Sequence, residues 1–167
     1  MSRWRPPSAP ASPYITAAGY RALEAELQTL WTRRHEVVKH LAAAAAEGDR
    51  SENAEYQYRK KELRGIDGRI GYLQRRMPVL KVVAARPPEK GRVFFGASLL
   101  LETAAGEMRR CRIVGSDELD PAQGCISVDS PLARALLGKR EDDDCSVQIG
   151  DGPAERYTIV EVDYPGT

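Results

Sequence analysis

Two runs of apolar residues constrain the fold of this chain more than any other feature of its sequence. The first run extends from Tyr20 to Ala44 and the second from Tyr56 to Leu80, and in both the apolar residues recur at alternating steps of three and four. One arginine occupies the single gap in each run. Such spacing is typical of helices that pack in a coiled coil.

The two runs are mirror images about Arg50. Each position of the first run lies as far before Arg50 as a position of the second run lies after it, so that Val37 opposes Leu63 and Leu30 opposes Ile70. Residues equidistant from a turn lie side by side in an antiparallel helix pair. The sequence therefore predicts a helical hairpin with arms of about 30 residues, or about 45 Å. We expect this hairpin to be too slender to enclose a pocket.

The apolar pattern changes to that of strands after residue 91. Strands are predicted within the segments 92–103, 108–115, 124–129, 145–149 and 156–164. Between them, the segment 130–138 is predicted to be a short helix, with Ser130 as its N-cap and Pro131 at its first position. Together these elements predict a small antiparallel α+β domain.

The fold class that follows is α+β, with two domains. The predicted parts are a disordered Pro-rich extension (1–13), a coiled-coil hairpin (14–84) with an acidic tip (47–55), a linker (85–91) and a β domain (92–167). Charge divides in a similar way. Residues 14–83 carry 13 basic and 9 acidic side chains, whereas residues 84–167 carry 10 basic and 15 acidic ones. Opposite net charges suggest two units with different partners.

Composition narrows the class of protein. Charged residues make up 29% and apolar residues 42% of the chain, which is typical of an ordered soluble protein. No apolar run approaches the roughly 18 residues of a membrane span, so we expect no membrane association. The three cysteines lack the spacing of a metal site. They are expected to be reduced thiols of a cytoplasmic protein.

The segment that joins the two predicted helices is acidic, with four carboxylates in the nine residues from Glu47 to Glu55. Two interpretations are open. Asp49 or Ser51 can cap the second helix, with Glu52 completing a capping box. Alternatively, the carboxylates of Asp49 and Glu52 can face one point at the apex of the hairpin. There they can supply part of the ligand set of Mg²⁺, which often takes only one or two protein carboxylates.

A basic run follows the acidic segment, since residues 59–76 contain seven Lys or Arg and two Asp or Glu. This run is either an ordinary solvated helix face or a surface that tracks the phosphates of a nucleic acid. Tyr58 lies off the apolar run and can stack on a base, whereas Tyr56 lies on the run and is expected in the core.

Several separated motifs resemble the GreA/GreB family of bacterial transcript cleavage factors, over a region from Pro13 to Tyr164. The motifs are YITAAGYRALEAELQTLW, GDRSENAEYQYRKKELRGIDGRI, VFFGA, RIVGSDE and ISVDSPLARALLGK. Arg50, the EYQYRKK run and VFFGA are more similar to the GreB branch than to the GreA branch. The resemblance implies an N-terminal coiled-coil hairpin followed by an FKBP-like antiparallel β domain with a short helix.

The same resemblance implies a monomeric transcription elongation factor that is not itself an enzyme. Its C-terminal domain would dock on RNA polymerase, and its hairpin would enter the secondary channel. The tip would then stimulate the polymerase to cleave the 3′ end of backtracked nascent RNA. The implied roles are catalytic acids and ligands of a Mg²⁺ shared with the polymerase (Asp49, Glu52), tip support (Ser51, Asn53), RNA-side contacts (Arg59, Lys60, Lys61, Arg64) and polymerase docking (Asp129, Ser130, Pro131). DNA in the transcription complex is a further candidate contact.

Two other functions are open from the sequence. A protein of this kind can occupy the secondary channel and regulate polymerase without cleavage, but the intact pair Asp49 and Glu52 argues against that function. An FKBP-like topology also suggests a peptidyl-prolyl isomerase, although the β domain has few aromatic residues to line a proline pocket. The chain departs from the family pattern at Asp143, where a glycine is usual, so the local turn is in question.

Overall fold

The structure is a computed structural model that describes residues 10–46, 54–83, 89–148 and 152–165. The chain divides into two compact units. The hairpin unit is Tyr20–Leu80, and the sheet unit combines Met1–Gly19 with Lys81–Thr167. The predicted two-domain α+β architecture is confirmed.

Two long helices form the hairpin unit: α1 (Ala17–Ala46), whose first three residues belong to the sheet unit, and α2 (Ala54–Arg76). Every seam position of α1 and α2 is buried or partly buried. Val37 is fully buried in a cluster with Ile66 and Ile70, and the partly buried leucines of this cluster are Leu27, Leu30 and Leu63. The apolar period therefore placed the seam of both helices correctly.

Ion pairs between α1 and α2 show that the helices run antiparallel. Arg33 pairs with Glu62 at 2.6 Å, whereas Glu26, which is earlier in α1, pairs with Arg69, which is later in α2, at 2.7 Å. A residue earlier in α1 thus pairs with a residue later in α2. This is the antiparallel arrangement that the mirror symmetry of the sequence predicts.

Helix α2 is shorter than the apolar run suggests. It ends at Arg76 and continues as a 3₁₀ turn, Met77–Val79. Pro78 explains the difference, because proline lacks an amide proton and disfavours the α conformation of the residue before it. The last two seam residues, Met77 and Leu80, consequently lie outside α2 but remain partly buried.

Both ends of the region predicted to be the hairpin are strands. Strand β1 (Tyr14–Thr16) pairs in parallel with β2 (Lys81–Val83), and both belong to the sheet unit. Ile15 is fully buried there. Three-residue strands are too short to show a period in the sequence. The pairing of β1 with β2 depends instead on chain segments that are far apart in number.

The sheet unit also contains a sheet of five described strands in the order β5-β4-β3-β7-β6. These strands are β3 (Ser98–Thr103), β4 (Met108–Val114), β5 (Cys125–Ser127), β6 (Asp144–Val147) and β7 (Glu155–Asp163). Three of its four pairings are antiparallel, as predicted for this domain, and the exception is β5, which pairs with β4 in parallel. Two 3₁₀ turns, Ser116–Glu118 and Pro121–Gln123, carry the chain between them. That crossover returns the chain in the same direction, which a tight hairpin cannot do.

Helix α3 (Pro131–Leu136) packs on one face of this sheet. Its Leu136 is fully buried in a core with side chains of the central strands, among them Leu99, Ile113 and Ile159. The predicted cap is confirmed, since the amide of Ala133 donates to Ser130 Oγ at 3.2 Å.

The turn before β6 accommodates the departure at Asp143. The left-handed residue is Asp142, with a φ of 67°, rather than Asp143. The carboxylate of Asp143 accepts a hydrogen bond from the amide of Arg140 at 2.7 Å. Asp143 therefore closes the turn with its side chain, and no glycine is needed at that position.

Candidate functional site

The acidic tip predicted from the sequence falls between α1 and α2. Asp49 and Glu52, together with Ser51 and Asn53, lie in the segment 47–53, outside the described residues. The described chain ends its first helix at Ala46 and begins its second at Ala54. The choice between capping and metal binding for these acids is therefore still a prediction.

Three of the four basic residues predicted to contact RNA share the solvent side of α2. Lys60, Lys61 and Arg64 are all exposed. They lie within about one turn of α2, at positions outside the apolar seam. Tyr58 precedes them and is 63% exposed. Exposed lysines and an arginine beside an exposed tyrosine can offer phosphate contacts and a stacking surface to a single strand, as the sequence predicts for this segment.

Arg59 is placed differently from the other three. It occupies the gap in the apolar seam, and its side chain is only 20% exposed. Its guanidinium donates to Glu62 at 3.2 Å and to Glu55 at 3.3 Å. Because two carboxylates of its own helix already neutralise it, Arg59 has less charge to offer a phosphate than its exposed neighbours. The sequence prediction gave all four residues the same role, although the spacing of the seam already placed Arg59 at a seam position.

The predicted docking segment begins with a hydrogen-bonded carboxylate. Asp129 Oδ2 accepts from the amide of Ser12 and from Ser116 Oγ, both at 2.8 Å, and Oδ1 accepts from Ser12 Oγ. Arg134 lies 4.0 Å from Oδ1. Desolvation by burial raises the pKa of Asp129. The hydrogen bonds from Ser12 and Ser116 and the charge of Arg134 outweigh that effect, so the pKa lies below its ordinary value.

The other two residues predicted to dock on the polymerase mark the start of α3. Ser130 is partly buried, since its hydroxyl caps the helix. Pro131 is exposed. The backbone amide of Asp129 donates to Ser127 Oγ at 3.1 Å, which closes a turn just before the helix. The structure therefore brings Asp129, Ser130 and Pro131 into one hydrogen-bonded turn with Pro131 on its surface.

A second carboxylate, Glu118, organises a site that sequence reasoning missed. Glu118 Oε2 accepts from the amides of Thr16 and Gly115 at 2.9 Å, and Oε1 accepts from the hydroxyl of Thr16. The hydroxyl of Thr16 in turn accepts from the amide of Gly19 at 3.0 Å, which caps α1. These residues belong to the motifs YITAAG and GSDE, but nothing in either motif alone indicates the other as its partner.

Two negative findings apply to the described residues only. Within 10–46, 54–83, 89–148 and 152–165, no group of three or more His, Cys, Asp or Glu side chains could hold a metal ion. In the same part of the chain, no helix has the length and apolar character to span a bilayer.

Two family models match the chain. The model described as the N-terminal part of the GreA/GreB transcription elongation factors matches residues 13–82. The model of the GreA/GreB C-terminal part matches residues 88–164. The chain belongs to the GreA/GreB family of transcription elongation factors.

Individual relatives within this family are similar over almost their whole length. A transcription elongation factor GreB of Xanthomonas axonopodis pv. citri is 55% identical and covers 98% of this chain and 98% of its own. A GreB of Pseudomonas aeruginosa is 51% identical, covering 99% of this chain and 98% of its own. Both relatives carry the GreB name, in agreement with the branch that Arg50, the EYQYRKK run and VFFGA indicated. The crystal structure of GreA factor homolog 1 of Thermus thermophilus covers 90% of this chain and 97% of its own at 25% identity. Its TM-score of 0.42 is too low for a comparison of the two structures.

Proposed function

We propose that this protein binds RNA polymerase, as a monomer in the bacterial cytoplasm, and stimulates cleavage of the 3′ end of backtracked nascent RNA. The observation that carries the proposal is the place of the acid pair in the chain, since the residues between α1 and α2 include both Asp49 and Glu52. A hairpin of two antiparallel helices can enter a narrow channel that excludes a compact domain, and can carry its acids to an active centre there.

The donor set of the tip fits a magnesium ion that is shared with the polymerase. Mg²⁺ prefers carboxylate and water oxygens, and two protein carboxylates alone bind it weakly. In a two-metal site, such an ion activates water or stabilises the leaving oxygen of a phosphodiester. Asp49 and Glu52 would complete the ligand set, while Ser51 and Asn53 support the tip. The protein is then not itself an enzyme, because the polymerase supplies the remainder of the catalytic site.

The other predicted residues take the positioning roles. Lys60, Lys61 and Arg64 would hold the phosphates of the extruded RNA, and the turn Asp129–Pro131 would dock on the polymerase. Exposed cations suit the first role because phosphate contacts depend on accessible charge. An exposed proline at a hydrogen-bonded turn suits the second role, because proline and the internal hydrogen bonds leave little conformational freedom to lose on binding.

The experiment uses stalled, backtracked transcription complexes that carry 3′-labelled RNA. Wild-type protein is compared with the double variant Asp49→Asn/Glu52→Gln at several Mg²⁺ concentrations, and binding to polymerase is measured in parallel. Release of short labelled fragments by wild type, with at least a 100-fold slower release by the double variant and equal binding, is the expected result. Asp67→Asn is the matched control, because it removes an exposed carboxylate of α2 that pairs with Arg34.

Two outcomes would count against the proposal. Wild-type protein that binds polymerase without releasing fragments would instead be a channel-binding regulator that does not promote cleavage. A double variant that cleaves as fast as wild type would show that the tip acids are not metal ligands.

A further inference from the structure

Asp129 draws three separate parts of the sheet unit together. Ser12 lies 117 positions before it and donates both its amide and its hydroxyl to the carboxylate. Ser116 donates its hydroxyl at 2.8 Å from the 3₁₀ turn that follows β4. Ser127 Oγ donates to Ser116 Oγ at 3.3 Å and accepts from the amide of Asp129. The carboxylate is thus the centre of a network rather than a free surface group.

The network uses most of the hydrogen-bonding capacity of Asp129. An ionised carboxylate has about four acceptor positions, and three of them already have donors within the molecule. Arg134 adds a nearby positive charge. A partner protein could reach at most the remaining position without breaking an internal bond. Direct binding of the Asp129 carboxylate by the polymerase therefore does not explain why an aspartate stands in the predicted docking turn.

Ser12 is held in register for this contact. The carbonyl of the next residue, Pro13, accepts from the amide of Lys81 at 2.7 Å, directly before β1 begins its pairing with β2. Ser12 is partly buried. The sequence placed Ser12 in a disordered extension, but here the last residues of that extension are tied to the sheet unit by backbone and side-chain hydrogen bonds.

We propose that Ser12 is a positioning residue for the docking turn: by binding both oxygens of Asp129, it fixes the turn that presents Pro131 to the polymerase. The inference rests on the proposed docking role of Asp129–Pro131. A donor pair from one residue holds the carboxylate plane in a single orientation, and the amide of Asp129 holds the turn through Ser127. The start of α3 is thereby ordered before the partner arrives, which reduces the entropic cost of binding.

A graded series at position 12 tests this role, with affinity for RNA polymerase as the readout. Ser12→Thr keeps both donors, Ser12→Ala keeps only the amide, and Ser12→Pro keeps neither. We expect a dissociation constant within about 2-fold of wild type for the first, about 5-fold higher for the second and higher still for the third, because hydrogen bonds to charged groups are among the stronger ones. Ser116→Ala removes a donor from the same carboxylate without changing the N-terminal segment, and should weaken binding similarly.

A double-mutant cycle separates positioning from general destabilisation. In the background Asp129→Ala, the change Ser12→Ala should have no further effect on affinity, because both act through one contact. Ser146→Ala, at an exposed serine of β6, is the matched control and should bind as wild type. Thermal unfolding of each variant shows whether the protein is folded at the assay temperature.

The outcomes distinguish this inference from the function on which it rests. If wild type binds polymerase but the Ala and Pro variants bind equally well, Ser12 has no positioning role and only this inference fails. If those variants bind more tightly, Ser12 acts as a competing latch, and the inference is again overturned. If wild type does not bind polymerase at all, the proposed function and this inference fail together.

Discussion

Glu118 binds two backbone amides and one hydroxyl of the sheet unit through a single carboxylate. It accepts from the amides of Thr16 and Gly115 and from the hydroxyl of Thr16, and that hydroxyl also caps α1 through Gly19. The backbone also packs closely around this carboxylate, so that two positions leave little room for a side chain. A Cβ added at Gly115 would lie 2.2 Å from the backbone oxygen of Tyr14, and one at Gly19 would lie 2.0 Å from Glu118 Oε1. Gly115 is therefore required by the close approach of backbone, whereas a Cβ at Gly19 would displace the hydrogen-bonded carboxylate of Glu118.

At this residue scale, we predict that Thr16→Val lowers the free energy of unfolding of the sheet unit by about 2 kcal/mol. The variant keeps the shape of a buried side chain but loses the cap of α1 and a hydrogen bond to a carboxylate. Urea denaturation followed by far-UV circular dichroism measures the change. Thr16→Ser keeps the hydroxyl. It should therefore lower the free energy of unfolding by less than about half of the loss expected for Thr16→Val. Equal losses in both variants would show that packing, not the hydroxyl, matters.

The ionisation of Asp129 is expected to make the stability of the fold depend on pH. Its pKa in the folded protein is below the ordinary value of 3.8, because hydrogen bonds from Ser12 and Ser116 outweigh the effect of burial. A carboxyl with a lowered pKa stabilises the fold fully above its unfolded pKa, and this contribution is lost as pH falls through the folded pKa. We therefore expect Asp129→Asn to be less stable than wild type at neutral pH. It should also lose less stability than wild type between about pH 5 and pH 3. Urea midpoints across that range test the prediction, and parallel curves for the two proteins would contradict it.

At the scale of elements, α2 carries glycines that the fold does not need. Gly65 and Gly68 are exposed, and a Cβ at either would have no atom within 4 Å outside its own neighbours and helix backbone. Glycine inside a helix costs about 1 kcal/mol relative to alanine. The hairpin is therefore less stable than its seam would allow, at positions on the solvent side of α2.

We predict that Gly65→Ala/Gly68→Ala stabilises the hairpin unit by about 1–2 kcal/mol. Hydrogen exchange of the α2 amides, which reports local opening of this helix, should slow accordingly. Gly115→Ala is the contrasting variant with the same chemical change. It should destabilise the sheet unit, because its Cβ would meet backbone rather than open space. A loss of α2 protection in the double variant would disprove the assignment of Gly65 and Gly68 as unconstrained.

At the scale of the whole molecule, the two parts of the chain carry opposite charge. Residues 14–83 have an excess of basic side chains, and residues 84–167 an excess of acidic ones. On the proposed function, the basic excess meets RNA and the sheet unit meets a protein. Only the first of these contacts should depend strongly on salt through counterion release.

We accordingly predict that Lys60→Ala/Lys61→Ala/Arg64→Ala raises by about 10-fold the protein concentration that gives half-maximal cleavage, and that cleavage becomes less sensitive to salt. The cleavage rate at saturation should change little, because Asp49 and Glu52 are intact. Arg109→Ala/Arg156→Ala removes two exposed arginines of the sheet unit and is the charge control. A slower rate at saturation without a shift in concentration dependence would assign the three basic residues a role in the tip rather than in RNA binding.

Much of this architecture could be predicted because it depends on neighbours in the chain. The alternating steps of three and four identified the seam of α1 and α2, and the mirror symmetry of the two runs gave their antiparallel pairing. The N-cap of α3 depends on Ser130 and the residue three places on. In the candidate site, the seam spacing agrees with the exposure of Lys60, Lys61 and Arg64 and with the partial burial of Arg59, although the sequence prediction grouped all four as RNA contacts.

The rest was decided by the tertiary structure, because it depends on residues that meet only when the chain has folded. Strands β1 and β2 have only three residues each and show no period, and the pattern that predicted strands at β4 and β5 did not indicate that they pair in parallel. Thr16 and Glu118 are 102 positions apart, and Ser12 and Asp129 are 117 apart. The sequence contains many other hydroxyls and carboxylates that could form such a bond. Only the packing of the sheet unit decides which two meet.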